Sequence, residues 1–378
     1  MIVIFASAIG RFPIGGNAWS DLQYLLGLRA LGHDIFYLEE CGPESWVYNW
    51  ETEQHTTELD YPTNYVQACL EPLGFDQWIY RAGDHSVGTQ IDEFLEICSR
   101  ADLMIVRGSP LPLWRTEYKW PHRRIFIDAD PGFTQINLAY GHPELTETVE
   151  CCDRLFTIGQ RINAEGCLIP TTDRQWLKTV PPVALSYWSP TEDQDIPYFT
   201  SVMQWHSYQE VVYQGATYGN KDKEFLKFIE IPQLTKQPFR IALSGGFPDE
   251  LSQHGWEVIP GWVASFTPES YQRFVQSSHA EFGVAKQGYV AMQGGWFSDR
   301  SVCYLASGKP ILVQDTGLSD WLPLGEGILT FHDLSEAVNG IERINKNYQQ
   351  HQQAARRIAE DYFDSNKVLC SLLEAAMN

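Results

Sequence analysis

The chain has 378 residues, a formal net charge of −21 and 13% aromatic residues. That length exceeds one ordinary core and suits two domains. The acidic balance argues against nucleic acid as a partner, because phosphate backbones call for clustered lysine and arginine, but it leaves room for a small anion held by a few local cations.

The start, "MIVIFASAIG", is apolar without a basic lead, so it reads as a first buried strand and not as a signal peptide. No run approaches membrane-spanning length, and a cytoplasmic protein is expected. Eight cysteines are scattered without a C-x-x-C pair, which fits reduced, mostly buried thiols. After the loop "AIGRFPIGG" a helix is predicted from about Asn17 to Leu31, with Leu22, Leu25, Leu26 and Ala30 on one face and Gly32 as its stop. "HDIFYLEE" is the second strand. A long irregular stretch containing Pro62 and Pro72 follows, then a helix near Val87 to Ser99. The strands "LMIVRGS", "RRIFIDADPGF" and "RLFTIG" complete this half. Continuous apolar strands alternating with helices indicate a parallel sheet covered on both faces.

A proline- and acid-rich piece, Val180 to Pro197, reads as a hinge. Beyond it lie "FRIALSGG", "HAEFGVAK", "PILVQ" and "GILTF", each followed by a turn and a helix. Asp333 and Glu336 have the spacing of a capping box, and an amphipathic helical stretch ends the chain. Two α/β domains are expected, with ligands outside the carboxyl ends of their strands.

Taken in this order, the chain resembles nucleotide-sugar glycosyltransferases of the GT-B fold. The matching segments are "GRFPIGGNAWSDLQYLLGLRALGHDIFYLEE" and "GKPILVQDTGLSDWLPLGEGILTFHDLSEA". The resemblance implies two Rossmann-like domains facing a deep cleft. It places an acceptor-side domain over 1–182, a donor domain over 198–360 and a C-terminal helix, 361–378, crossing back to the first domain. One departure bears on the chemistry. Retaining members of this kind usually carry two glutamates with seven residues between them before the small-Gly-x-Pro turn, and Gly295 and Cys303 stand at those places. "GGWFSDRS" is instead similar to the "GWNS" turn of plant small-molecule glycosyltransferases.

The resemblance implies a nucleotide-diphosphate sugar as donor, with a small-molecule, glycan or peptide acceptor. It gives the donor side Gly245 and Gly246 after "FRIALS", Lys221 and Lys286 as cations for a diphosphate, and the pair of turns around the helix after "GGWFS". In those turns Trp296, Ser298, Asp299, Arg300, Asp315, Thr316 and Gly317 are the candidates. Ser298 is expected to cap the helix, Asp299 to accept sugar or ribose hydroxyls, and Arg300 to meet the diphosphate. Arg11, Gly15 and Gly16 form a loop ahead of a helix whose first amides suit an anion or a sugar hydroxyl. Asp130, or else Asp128, lies at a strand's carboxyl end as general base for the acceptor hydroxyl. Helix amides and these cations stand in for a metal, so no metal or other cofactor is expected. A nucleotide-sugar epimerase and a non-catalytic nucleotide-sugar-binding protein are the alternatives the same pattern admits.

Overall fold

The computed structural model describes every residue except 51, 53, 171–172, 192–196 and 208. Part of the predicted hinge, 192–196, lies outside the described residues. The chain divides into two compact units. The first comprises Met1–Ile158, Thr171–Thr179 and Ser365–Asn378; the second comprises Gly159–Pro170 and Val180–Asp364. Residues 159–170, assigned by sequence to the first domain, thus belong to the second. Their backbone explains it: the Leu168 N–H donates to Met292 and the Arg161 N–H to Gly294.

The strands of the first unit are β1 (Ile2–Ala6), β2 (Asp34–Glu40), β3 (Val47–Asn49), β4 (Gln54–Thr56), β5 (Trp78–Ala82), β6 (His85–Gly88), β7 (Leu103–Arg107), β8 (Arg123–Asp128), β9 (Arg154–Thr157) and β10 (Trp176–Lys178). Eight of them form one sheet in the order β10-β9-β8-β7-β1-β2-β5-β6, parallel except for the β5–β6 edge pair. Buried central runs such as "VIFA" and "LMIVR" have apolar residues on both faces, as a covered parallel sheet requires. The stretch after β2 is not irregular. It contains the β3–β4 hairpin and a helix, Asp60–Leu70, in which Pro62 occupies the first turn, where a missing N–H does no harm. The next helix runs over Ile91–Arg100, because Val87 is taken up by β6. The C-terminal helix Ser365–Met377 packs on Gly15–Ala30 at Gly27, where a Cβ would stand 2.5 Å from Leu369 Cδ1.

The second unit holds β11 (Phe199–Gln204), β12 (Val211–Tyr213), β13 (Ala216–Tyr218), β14 (Phe239–Ser244), β15 (Glu257–Pro260), β16 (Ala280–Gly283), β17 (Ile311–Gln314) and β18 (Ile328–Phe331). Six form an all-parallel sheet, β15-β14-β11-β16-β17-β18. Its core is aromatic: Phe282 stacks on Phe331 at 5.2 Å, and Phe239 meets Trp256 at 4.8 Å. Asp333 caps the last strand's helix by accepting the Glu336 N–H at 2.8 Å. Glu336 reaches back to the His332 N–H, so the capping box is displaced by one residue. Among the described residues, no helix is long and apolar enough to cross a membrane.

Candidate functional site

In the second unit the two glycine-bearing turns form one surface. Gly295 donates its N–H to the Thr316 carbonyl at 2.7 Å, and Thr316 Oγ1 donates to the Trp296 carbonyl at 2.6 Å. Gly317 has φ +93, and a Cβ there would lie 2.6 Å from Arg161 Cδ, so only glycine fits. Arg161 fastens both turns, with Nε on Asp320 at 2.5 Å and Nη1 on the Gln293 carbonyl at 2.8 Å. No sequence pattern pointed to it. Asp315 Oδ1 accepts the Leu318 N–H at 3.0 Å and Oδ2 faces His332 Nε2 at 3.3 Å, so this acid also holds its own turn.

A group of cations lies against these turns. Lys221 opens the helix Lys221–Phe225, only 8% exposed, and its ammonium has no hydrogen bond or ion pair among the described residues. Burial, then the charges of Arg300 and Lys286, push its pKa well below the usual lysine range. Backbone bonds bring Lys221 and Lys286 together: the Gln287 N–H donates to Asn220 and the Gly288 N–H to Gly219. Lys286 Nζ sits 5.2 Å from the Tyr289 ring centre, and Tyr289 stacks on Trp296 at 4.2 Å. Trp296 therefore has one face covered.

Gly245 and Gly246 end β14 with φ +76 and +142, pressed against His206 and Trp205. His206 Nε2 is 3.2 Å from Asp222 Oδ2, beside Lys221, so this turn joins the same neighbourhood.

Two expectations change. Ser298 holds the N-cap position of Asp299–Ala306, but its side chain makes no capping hydrogen bond; Asp299 Oδ1 accepts the Arg300 N–H at 3.0 Å. Arg300 is not a free cation awaiting a diphosphate. Its Nε donates to Glu281 at 2.6 Å and its Nη1 to the Val202 carbonyl at 2.9 Å. Glu281 is fully buried in β16. Burial opposes the guanidinium's charge, but Glu281 outweighs it and holds the pKa above the ordinary value. Arg300 still lines a small cavity with Gly283, Trp296, Ser298 and Gln314, and its Nη2 has no hydrogen bond among the described residues.

In the first unit the loop after β1 is already filled. Glu39, fully buried, accepts the N–H groups of Gly10 at 2.8 Å and Arg11 at 2.6 Å, and the Tyr37 hydroxyl at 2.9 Å. Burial pushes its pKa up to about 7. The amides of Gly10 and Arg11 are thus turned onto an internal carboxylate. Gly15 and Gly16 are the first two residues of the following helix, whose N-cap, Ile14, supplies no side-chain cap. Arg11 lies 5.7 Å from the Phe12 ring.

Asp128 and Asp130 part company. Asp128 is fully buried and accepts four hydrogen bonds, from Thr134 at 2.6 Å, Thr157 at 2.8 Å, Asp130 N–H at 2.9 Å and Gln135 at 3.0 Å. Burial raises its pKa against these bonds. It organises the turn, and Asp130 is the acid of the pair that reaches the surface. Among the described residues no group of three or more His, Cys, Asp or Glu is placed to hold a metal ion.

Residues 222–368 match a family model described as glycosyl transferase-like. No curated protein sequence matches the chain. Solved structures resemble it over its whole length at low identity. An α-glucosyltransferase in complex with UDP and a 13-mer DNA is 12% identical with a TM-score of 0.63, each chain covered in full. HepE from Anabaena, in complex with UDP and glucose, is 11% identical with a TM-score of 0.58, covering 99% of this chain and 100% of its own. AviGT4, a glycosyltransferase involved in avilamycin A biosynthesis, is 12% identical with a TM-score of 0.55, covering 99% and 96%. The fold is therefore that of the GT-B glycosyltransferases, and the resemblance drawn from the two segments stands. The exclusion of nucleic acid does not. Enzymes of this fold are found in complex with DNA, so an acidic balance does not exclude nucleic acid.

Proposed function

We propose that the chain is a glycosyltransferase that moves a hexosyl group from a nucleoside-diphosphate sugar to an acceptor hydroxyl. Lys221 carries the reading. Lys221 is buried without a hydrogen bond or ion pair among the described residues, and Lys286 and Arg300 oppose its charge more than Glu281 and Asp299 support it, so an arriving anion would favour the charged form. A diphosphate supplies that anion, and the glycine turns let its backbone neighbours approach closely. UDP, present in several of the structurally similar enzymes, is the first nucleotide to try. In this scheme departure of the diphosphate is stabilised by Lys221 and Lys286, without a divalent ion. Asp130 takes the acceptor's proton.

Calorimetric titration of UDP into the purified protein, with and without EDTA, tests the donor half. Tight binding in EDTA is the expected result, and a strict need for a divalent ion overturns the metal-free scheme. Incubation with UDP-sugars and an acceptor panel of glycans, DNA and small alcohols tests transfer. Conversion of one UDP-sugar to another without acceptor would mark an epimerase instead. Asp130→Asn is expected to lower turnover roughly 100- to 10,000-fold with UDP affinity kept. Turnover within a few-fold of wild type would remove Asp130 from the chemistry.

A further inference from the structure

The β3–β4 hairpin carries a face that the fold does not use. Its register pairs Val47 with Thr56, Tyr48 with His55 and Asn49 with Gln54. Alternation along a strand puts Trp46, Tyr48 and Trp50 on one face, with His55 opposite Tyr48. Val47 points the other way and is buried. Val47 therefore anchors the hairpin, while Trp46 is exposed and Tyr48 and Trp50 are half-buried. Trp46 is 65% exposed, yet it lies flat on His55, with centroids 5.0 Å apart and planes 10° from parallel. Tyr48 meets Trp50 edge-on at 4.6 Å and His55 at 5.3 Å. The rings hold one another in place and leave an indole face open. An exposed indole braced in this way by an exposed imidazole and two half-buried rings offers a binding surface.

Charge narrows the occupant. Between Arg29 and Arg81 the sequence contains no lysine or arginine, while Glu44, Glu58 and Asp60 flank the hairpin. A phosphate-bearing ligand is repelled at this patch. A second copy of the chain meeting it about a two-fold axis would set these acids against their own equivalents. A neutral sugar ring suits it: the C–H face of a pyranose lies on an indole, and its hydroxyls donate to nearby carboxylates.

We propose that Trp46, supported by His55, Tyr48 and Trp50, is a platform for a neutral sugar ring of the acceptor. The inference rests on reading the chain as a glycosyltransferase and gives that reading a glycan acceptor. The test is saturation-transfer NMR and tryptophan fluorescence on the full chain with gluco-, galacto- and manno-trisaccharides. Light scattering, a single-stranded 13-mer oligonucleotide and UDP calorimetry run alongside. At least one trisaccharide should bind, and Trp46→Ala should weaken it by about 10-fold or more, as for a central aromatic contact. Trp46→Phe should restore part of the binding, and neither change should alter UDP affinity. The proposal is overturned if no trisaccharide binds wild type or if Trp46→Ala binds as well. It is also overturned if the Trp46-dependent ligand proves to be the oligonucleotide or a second copy. Failure of wild type to bind UDP would sink the donor reading alone, because the trisaccharide result is scored separately.

Discussion

Two glycine-bearing loops, one in each unit, look alike as sequence and differ in where their counter-charge comes from. After β1, the amides of Gly10 and Arg11 converge on Glu39, an acid from the neighbouring strand β2. Around the second unit's turns the cations Lys221, Lys286 and Arg300 gather with the acids Glu281 and Asp299. Arg300 is matched by Glu281, but Lys221 is buried without a partner among the described residues. An amide cradle that a chain fills with its own carboxylate is architecture. A buried cation left unmatched is a request for a ligand. The comparison predicts which substitutions unfold the protein and which empty the site.

The largest expected effect falls on the matched pair. Arg300→Ala strips fully buried Glu281 of its hydrogen-bonded ion-pair partner, a change that costs about 3–5 kcal/mol. Urea denaturation should show it as a large fall in midpoint. A midpoint near that of wild type would mean that Arg300 is held for a ligand and not for Glu281.

Lys221→Met should do the reverse. Removing a buried lysine whose proton the free fold disfavours relieves the free protein, so its stability should hold or rise. UDP affinity should fall roughly 10- to 150-fold, the worth of one charge-assisted hydrogen bond. The pH dependence has a definite sign. Lys221's folded pKa is lowered, so from that pKa up to the unfolded one the unfolded chain binds more protons, and free-protein stability rises with pH. A bound diphosphate restores the proton. UDP binding should therefore take up protons and weaken over the same window, which calorimetry in buffers of different ionisation enthalpy measures. Pairing in the unliganded chain would show as no proton uptake.

In the first unit the filled cradle should matter for stability and not for the donor. Glu39→Ala strips the acceptor from Gly10, Arg11 and Tyr37, at about 1–3 kcal/mol for buried donors left unmet. Glu39 has its folded pKa raised from 4.5 to about 7. The folded state then binds more protons between those values, so this group's stabilising contribution is present at low pH and is lost as pH rises through about 7. Denaturation midpoints across pH 4–8 should lose that component in the variant while UDP affinity stays. Weakened UDP binding would show that the loop serves the donor after all.

Much of the fold was legible because buried parallel strands announce themselves. "IVIFA", "LMIVR" and "ILVQ" are apolar on both faces and sit at β1, β7 and β17. β11 was missed although it is central, because "FTSVMQ" mixes in polar residues whose partners are distant: Thr200 Oγ1 bonds Ser278 and Tyr304. At the site, the pairing of the two turns was readable from their place on either side of one helix and strand. The state of each side chain was not, because a partner such as Glu281 lies 19 residues from Arg300 and Arg161 lies 159 from Asp320. One signal was available: a lone acid inside the apolar run "AEFG" had to have a cation waiting for it.

The smallest effect lies at the rim of the same turns, where the comparison is between a buried charge and an exposed one. His332 faces Asp315 at 3.3 Å and Glu336 at 3.0 Å, but its side chain is 64% exposed. Burial works against its protonation, and the Glu336 and Asp315 carboxylates outweigh it, so its pKa is raised. The imidazolium's contribution is therefore complete below the unfolded pKa and is lost as pH rises through the folded one. Solvent and salt screen a pair this exposed, which limits the contribution to about 0.2–1 kcal/mol. His332→Asn should lower the denaturation midpoint slightly at pH 5, leave it unchanged at pH 9, and lose even that difference in 1 M salt. UDP affinity should follow only as far as Asp315 depends on His332 for its orientation. Asp315 Oδ1 is tied independently to the Leu318 N–H, so the shift should stay within about threefold, well under the range set for Lys221. A tenfold loss of UDP affinity at pH 5 would place His332 among the ligand's own contacts and move the edge of the site outward from the buried cations to the surface.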